Sequence, residues 1–282
     1  MPSESTERLN PFRTFFANMV TANAGVADSR LRAAFASTPR ERFLGRGPWR
    51  VFTPIGYIET PSDDPAFLYQ DITVAVEDEG SINNGQPMLH ALCLAALNIQ
   101  EGEAIVHIGA GTGYYTTLLS KLTGATGSVD AFEIERRLAE RAASNLADLT
   151  NVKTHNCSGS DTRLPMCDVL YVNAGATAPR DTWLDALRPG GRLLFPLTPA
   201  QGVGAMLLIK SISTDKFEAR FLCRAMFMPC AGARDDGAAQ RLSDAFNRDE
   251  LSAVRSLRRK TPPDETCWFS GPNWWLSTAA SA

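Results

Sequence analysis

From Gln86 onward the apolar and polar positions fall into a regular alternation. PMLHALCLAALNI reads as a helix, EAIVHI as a buried strand and GAGTG as a tight turn. YYTTLLSKL then reads as a helix, SVDAFEI as a strand, and ERRLAERAASNLADL as an amphipathic helix rich in helix-forming residues. The strands VKTH and CDVLYVNA, the helix PRDTWLDAL, the turn RPGG and the strand RLLFPL follow. Apolar strands alternating with helices predict a parallel sheet covered on both faces. The last apolar stretches of this region, AMLLIKSIST and KFEARFLCRAMFMP, predict a closing antiparallel pair.

The flanks differ. ADSRLRAAFASTPRERFL has helical spacing at Leu31, Ala34 and Phe35 and stops at Pro39. The following stretch, up to Pro87, is dense in Pro, Gly, Asp and Asn, with a short β-like piece at Asp71–Val76; such segments wrap a domain and often line a site. From Ala231 the chain predicts one or two polar helices, then a tail whose Trp268, Trp274 and Trp275 read as a packing lid. The expected division is a helical and irregular cap over residues 1–85, an α/β domain over 86–230, and a helical, Trp-rich extension over 231–282.

Composition narrows the function. A chain of 282 residues that is 44% hydrophobic can bury one large core with additions. Its net charge of -3, with Lys and Arg dispersed, argues against the basic stripe that a nucleic-acid partner requires. No run reaches the ~18 apolar residues that span a bilayer, and the first twenty residues lack a signal-peptide pattern, so a cytoplasmic protein with no membrane partner is expected. Six cysteines without a CxxC pair read as reduced core residues. With only His90, His107 and His155 besides, no metal site is expected.

Two features carry chemistry. A buried strand runs into Gly109, Gly111 and Gly113 before a helix, so the backbone turns tightly and leaves no Cβ where a ligand approaches. Glu133 ends the next strand, beside the glycine turn in a doubly wound sheet, where a carboxylate can accept hydrogen bonds from ribose hydroxyls. The turn lacks the last glycine of the dinucleotide fingerprint and no P-loop lysine follows, which disfavours a nicotinamide-dependent oxidoreductase and an ATP site.

TPRERF, LYQDITV, GQP, VHIGAGTGY, VDAFEIE, NVKTH, CDVLYVNAGA, LRPGGRLLFPL and FMP, taken together, resemble the protein-L-isoaspartate O-methyltransferases from about Val20 to Gly232. The resemblance implies a Rossmann-like α/β fold with a seven-stranded, mostly parallel sheet, an antiparallel closing strand, and N- and C-terminal additions. It also implies S-adenosylmethionine as cofactor. By the same resemblance, His107, Gly109, Ala110, Gly111, Thr112, Gly113 and Tyr114 contribute to the cofactor site, with Glu133 on the ribose. Ile134, Ser158, Gly159 and Asn173 complete the set, the stretch around Ser158 lying near the adenine.

The chain departs from the family in three places. Gly85-Gln86-Pro87 stands where members carry Ser-x-Pro, His107 replaces an acidic residue, and Ser158 replaces the aspartate of a Gly-Asp-Gly turn. Loss of the serine hydroxyl implies an altered methyl acceptor, the carboxylate of a peptide or protein or a small metabolite, with Asn84 and Gln86 as candidates for orienting it. The competing reading is a non-catalytic module that binds the cofactor or isoaspartyl chains without the chemistry. The sequence leaves the oligomeric state open.

Overall fold

The computed structural model describes residues 4–77, 82–213, 215–248 and 250–281. The chain divides into two compact units. One comprises Met1–Gly102, Ala110–Ser128 and Glu135–Thr154, the other Glu103–Gly109, Val129–Ile134 and His155–Ala282.

The first unit is largely helical. Helix α1 (Glu4–Asn23) buries Leu9, Phe16, Ala17 and Val20 along one stripe, with Phe16 edge-on to Phe35 and Tyr69. Helix α2 (Ser29–Ala36) starts at Asp28, whose carboxylate accepts from the Arg30 and Leu31 N–H groups, and it ends before Pro39 as expected. A short α3 (Glu41–Leu44) and a hairpin of β1 (Arg50–Thr53) and β2 (Gly56–Glu59) follow. Arg40 is fully buried, and its guanidinium donates to the carbonyls of Leu68, Gln70 and Ile72. One arginine thereby ties the TPRERF segment to LYQDITV and satisfies backbone acceptors that irregular chain would otherwise leave open. The β-like piece at 71–76 forms no strand; Val74 and Ala75 make isolated bridges to Val51 and Asn83. Helices α4 (Pro87–Leu97), α5 (Tyr114–Thr123) and α6 (Arg136–Asn145) complete the unit.

The second unit is built on a sheet. It holds β3 (Ala104–Ile108), all but Ser128 of β4 (Ser128–Phe132), the last residue of β5 (Val152–His155), and β6 (Cys167–Val172) and β7 (Leu187–Leu197), followed by β8 (Gly204–Ser213) and β9 (Lys216–Ala225). Strands β10 (Ser256–Arg259), β11 (Cys267–Ser270) and β12 (Trp274–Ser277) complete a sheet of order β11-β12-β10-β9-β8-β7-β6-β3-β4-β5. β6 runs parallel to both β3 and β7, whereas every step from β7 out to β11 is antiparallel. Helices α7 (Asp181–Asp185) and α8 (Asp236–Asn247) belong to this unit.

The α/β class and the β8–β9 pair agree with the sequence, but the sheet has ten strands rather than seven. The three additions lie in the extension read as helical: α8 forms, and then β10, β12 and β11 continue the sheet from β9. Trp268 and Trp274 are buried in the same apolar cluster as Leu193, Phe195 and Leu207 of the central strands, so the tail is core rather than lid. RPGG also differs, because β7 runs through it; pairing jumps from Cys167↔Leu187 to Val169↔Arg192, and the excess residues bulge around Gly190 at φ 81°.

Candidate functional site

In the sheet unit the ends of three neighbouring strands are locked edge to edge. The Gly109 N–H donates to Phe132 O at 2.9 Å, Asn173 N–H to Ile108 O at 2.8 Å, and Glu133 N–H to His155 O at 3.0 Å. These bonds set Gly109, Glu133 and Asn173 at adjacent carboxyl ends of β3, β4 and β6, where ligands bind in open α/β sheets. Gly109 has φ 75°, so the chain bends here in a conformation that favours glycine, and a Cβ on it would touch the Asn173 backbone at 3.4 Å. Glu133 is 8% exposed, and the next residue, Ile134, is 53% exposed, an apolar surface beside a carboxylate.

The turn continues by left-handed steps at Gly111 (φ 58°) and Gly113 (φ 97°). A Cβ on Gly111 would meet open space, whereas one on Gly113 would lie 2.9 Å from Leu146 Cδ1. Asn145 donates from Nδ2 to Thr112 O, and Gly113 N–H to Ala110 O, so the bend is held by its own backbone and by α6. Ala110 and Thr112 are buried. The Tyr114 ring packs between Phe35 and Phe43, and its buried hydroxyl has no hydrogen-bond partner; burial raises its pKa.

His107 lies inside β3, fully buried. Desolvation pushes its imidazole down to about 3, so it is neutral at physiological pH. Its Nε2 is 2.9 Å from Asn173 Nδ2, while Asn173 Oδ1 is buried without a partner. Pattern reading missed this pairing, since 66 positions separate the two residues. Ser158 Oγ contacts Asp161 Oδ2 and accepts from Ser160 N–H, closing a small turn. A Cβ on Gly159 would lie 2.7 Å from Ile108 Cγ1, so that glycine serves close packing against β3.

In the helical unit, the loop that carries the acceptor candidates is internally bonded. Asn84 Oδ1 accepts from Val74 N–H, Asn83 Oδ1 from Gly85 N–H, and Gln86 Nε2 donates to Asp71 Oδ2. The other Asp71 oxygen accepts from Met88 N–H in the first turn of α4. Gly85 is left-handed at φ 70°, and a Cβ there would stand 2.2 Å from His90 Nε2. His90 stacks on Tyr115 with ring centroids 3.6 Å apart. His90 was not among the expected site residues, although its place three positions after Pro87 puts it on the first turn of α4.

Within the sheet unit the residues fit an aminoacyl nucleoside: a left-handed glycine at the end of β3, a buried carboxylate at the end of β4, and an unpartnered buried acceptor on Asn173. This fold and this arrangement define an S-adenosylmethionine-dependent methyltransferase of the Rossmann-like class. Residues 18–235 match the sequence profile of the family described as Protein-L-isoaspartate(D-aspartate) O-methyltransferase (PCMT), and the chain belongs to that family. The protein-L-isoaspartate O-methyltransferase of Brucella anthropi is 28% identical over 212 residues, covering 74% of this chain and 88% of that one. That of Thermotoga maritima is 29% identical over 272 residues, covering 88% and 80%. Among solved structures, a protein-L-isoaspartate O-methyltransferase superposes with a TM-score of 0.66 at 23% identity, covering 84% of this chain and 69% of its own. A Plasmodium falciparum chain described as a protein-L-isoaspartate O-methyltransferase, solved in complex with S-adenosyl-L-homocysteine, gives 0.64 at 16% identity, covering 78% and 98%. No helix among the described residues is long and apolar enough to cross a membrane.

Proposed function

We propose that this chain transfers a methyl group from S-adenosylmethionine to an acceptor other than the standard isoaspartyl carboxylate, either a carboxylate in a differently presented peptide or protein or a small metabolite. The observation that carries this reading is the replacement of a side chain at position 85 by the His90 imidazole, whose Nε2 lies 2.2 Å from where a Cβ would stand. A seryl hydroxyl has no place there in this backbone, so the acceptor meets a different surface. S-adenosylmethionine supplies a methyl group already activated by its sulfonium. The protein's task is to hold donor and acceptor in register, an effect that contributes roughly 7–11 kcal/mol. Gly109 to Gly113, with His107, Tyr114 and Asn173, form the methionine side of the cofactor site, Glu133 the ribose side, and Ile134, Ser158 and Gly159 the adenine side. A carboxylate acceptor is ionised at neutral pH and needs no general base.

Asn84 and Gln86 remain the residues proposed to orient the acceptor. Asn84 Oδ1 and Gln86 Nε2 are committed to Val74 and Asp71, which leaves Asn84 Nδ2 as a donor and Gln86 Oε1 as an acceptor, neither with a hydrogen bond among the described residues. The division into a cap, a cofactor domain and an extension, a cytoplasmic location, and the absence of nucleic-acid and membrane partners belong to the same proposal. The test is methylation with labelled cofactor of isoaspartyl peptides, peptide and protein carboxylates, and small carboxylic acids, by the unaltered chain and by Gly85→Ser/His90→Ala. Turnover on a non-isoaspartyl acceptor, with isoaspartyl activity gained only in the double variant, is expected. Robust isoaspartyl methylation by the unaltered chain overturns the altered acceptor. Saturable cofactor binding with no product on any acceptor favours the non-catalytic module.

A further inference from the structure

Half-buried Asn173 and fully buried His107 form a polar pair that packing alone does not explain. Both belong to the sheet unit, at the carboxyl end of β6 and inside β3, which run parallel with His107 opposite Tyr171. An amide can serve either as donor or as acceptor toward a neighbour, and its orientation follows from what that neighbour offers. Here the amide nitrogen faces His107 Nε2 at 2.9 Å, so Nε2 accepts and Nδ1 carries the ring proton. A neutral ring is what burial imposes, since desolvation lowers this imidazole to about 3. The consequence is that Asn173 Oδ1 is left as a buried acceptor with no partner, beside the first glycine of the turn. Leaving such an atom unsatisfied costs stability, which marks it as a group awaiting a donor. An acidic residue at position 107 would instead accept from Asn173 while placing a negative charge in the core of the sheet.

We propose that His107 is a positioning residue that fixes the Asn173 amide so that its Oδ1 receives a hydrogen bond from the α-ammonium group of the bound S-adenosyl amino acid. This rests on the cofactor site proposed above and assigns one atom within it to one end of the ligand. The specific consequence is that the pair discriminates between nucleosides with and without the amino-acid tail, while contributing nothing to recognition of the adenosine.

The test is calorimetric titration of the full chain with S-adenosylhomocysteine and with 5′-methylthioadenosine, which lacks the amino-acid tail. Asn173→Ala and His107→Leu should each weaken S-adenosylhomocysteine by roughly 10- to 100-fold, the range for a hydrogen bond to a charged group, and leave methylthioadenosine within about 2-fold. His107→Gln, which restores an acceptor, should recover most of the loss, and combining Asn173→Ala with His107→Leu should add little to either alone. Equal weakening of both ligands, or unchanged affinity for S-adenosylhomocysteine, overturns the proposal. Nitrogen NMR of His107 in the unaltered chain reads the same point without a variant: a ring protonated at Nδ1 is expected, and one protonated at Nε2 overturns it. Failure of the unaltered chain to bind S-adenosylhomocysteine at all would sink the functional reading as well, whereas normal binding with insensitive variants removes this inference alone.

Discussion

Gly113→Ala is the most direct test of how the glycine bend is built. The residue sits at φ 97° ahead of α5, where a Cβ would lie 2.9 Å from Leu146 Cδ1, 3.0 Å from its Cγ and 3.2 Å from its Cδ2. Two costs add. The left-handed backbone penalises an L side chain by about 1–2 kcal/mol, and overpacking against a buried leucine costs about 1–3 kcal/mol. The expected loss is therefore about 2–5 kcal/mol, read as a shift in the urea midpoint at unchanged m-value. Leu146→Ala alone should cost about 2–5 kcal/mol through its cavity, but in the double variant the new methyl occupies part of that cavity. The two losses should then fall short of additivity by about 1–3 kcal/mol. A loss below about 0.5 kcal/mol for Gly113→Ala, or losses additive to within about 0.5 kcal/mol, would falsify the steric account of this glycine.

Gly111→Ala offers the contrast, since its Cβ would meet open space at φ 58°: stability should fall by only about 1–2 kcal/mol while S-adenosylhomocysteine affinity falls at least 10-fold, and a variant that binds normally refutes a ligand beside Gly111. The unfolded chain binds a proton on His107 near pH 6.5 that the folded chain refuses until about 3, so stability should decline as pH falls through that window, by up to ~1.4 kcal/mol per unit. Urea midpoints between pH 7 and 4.5 should fall less steeply in His107→Gln, and equal slopes would show that the imidazole is not buried neutral. Arg259, nearly buried, bridges Asp181 and Asp185 of α7 and also Asp215; Arg259→Met should cost about 1–2 kcal/mol because those carboxylates regain water, and an unchanged melting temperature would refute a stabilising network. With Ellman's reagent on the native protein Cys157, which is exposed, should react first, whereas Cys167, buried and pushed up to about 12, should react only on unfolding; rapid labelling of Cys167 would contradict its placement.

The central strands and the glycine turn were legible because each is encoded locally, by an apolar run ending in residues that permit positive φ. Helix α1 was not: Pro11 interrupts its pattern, and exposed Phe12 and Phe15 sit among the buried Leu9, Phe16, Ala17 and Val20, which blurs the apolar stripe. The extension misled for a different reason. SLRR, CWFS and WWLS are four-residue strands, too short to show a period of two, and they exist because the edge of β9 accepts β10, a pairing of Leu257 with Phe217 that no local signal announces. At the candidate site, the placement of Glu133 at the end of β4 and of the glycines in the turn after β3 could be read from the sequence alone. The Asn173–His107 bond and the His90–Gly85 approach could not, since one needs the β3–β6 register and the other the backbone angle at residue 85.

The departures from the family pattern differ in kind, and the difference accords with the proposal that donor chemistry is kept and the acceptor changed. At position 107 the substituted histidine is answered by a partner: Asn173 bonds to it and still turns a buried oxygen outward from the pair, so the strand ends keep polar capacity beside the glycine bend. At position 85 nothing replaces the hydroxyl. The space a side chain would need is filled by an imidazole stacked on Tyr115, and each neighbouring amide has one end held, by Val74, by Asp71 or by the loop's own backbone. A chain that had merely decayed would be expected to lose polar groups in both places. Here the first change is compensated by hydrogen bonding and the second is consolidated by packing, which is the pattern expected if, as proposed above, the acceptor differs while the cofactor platform is retained.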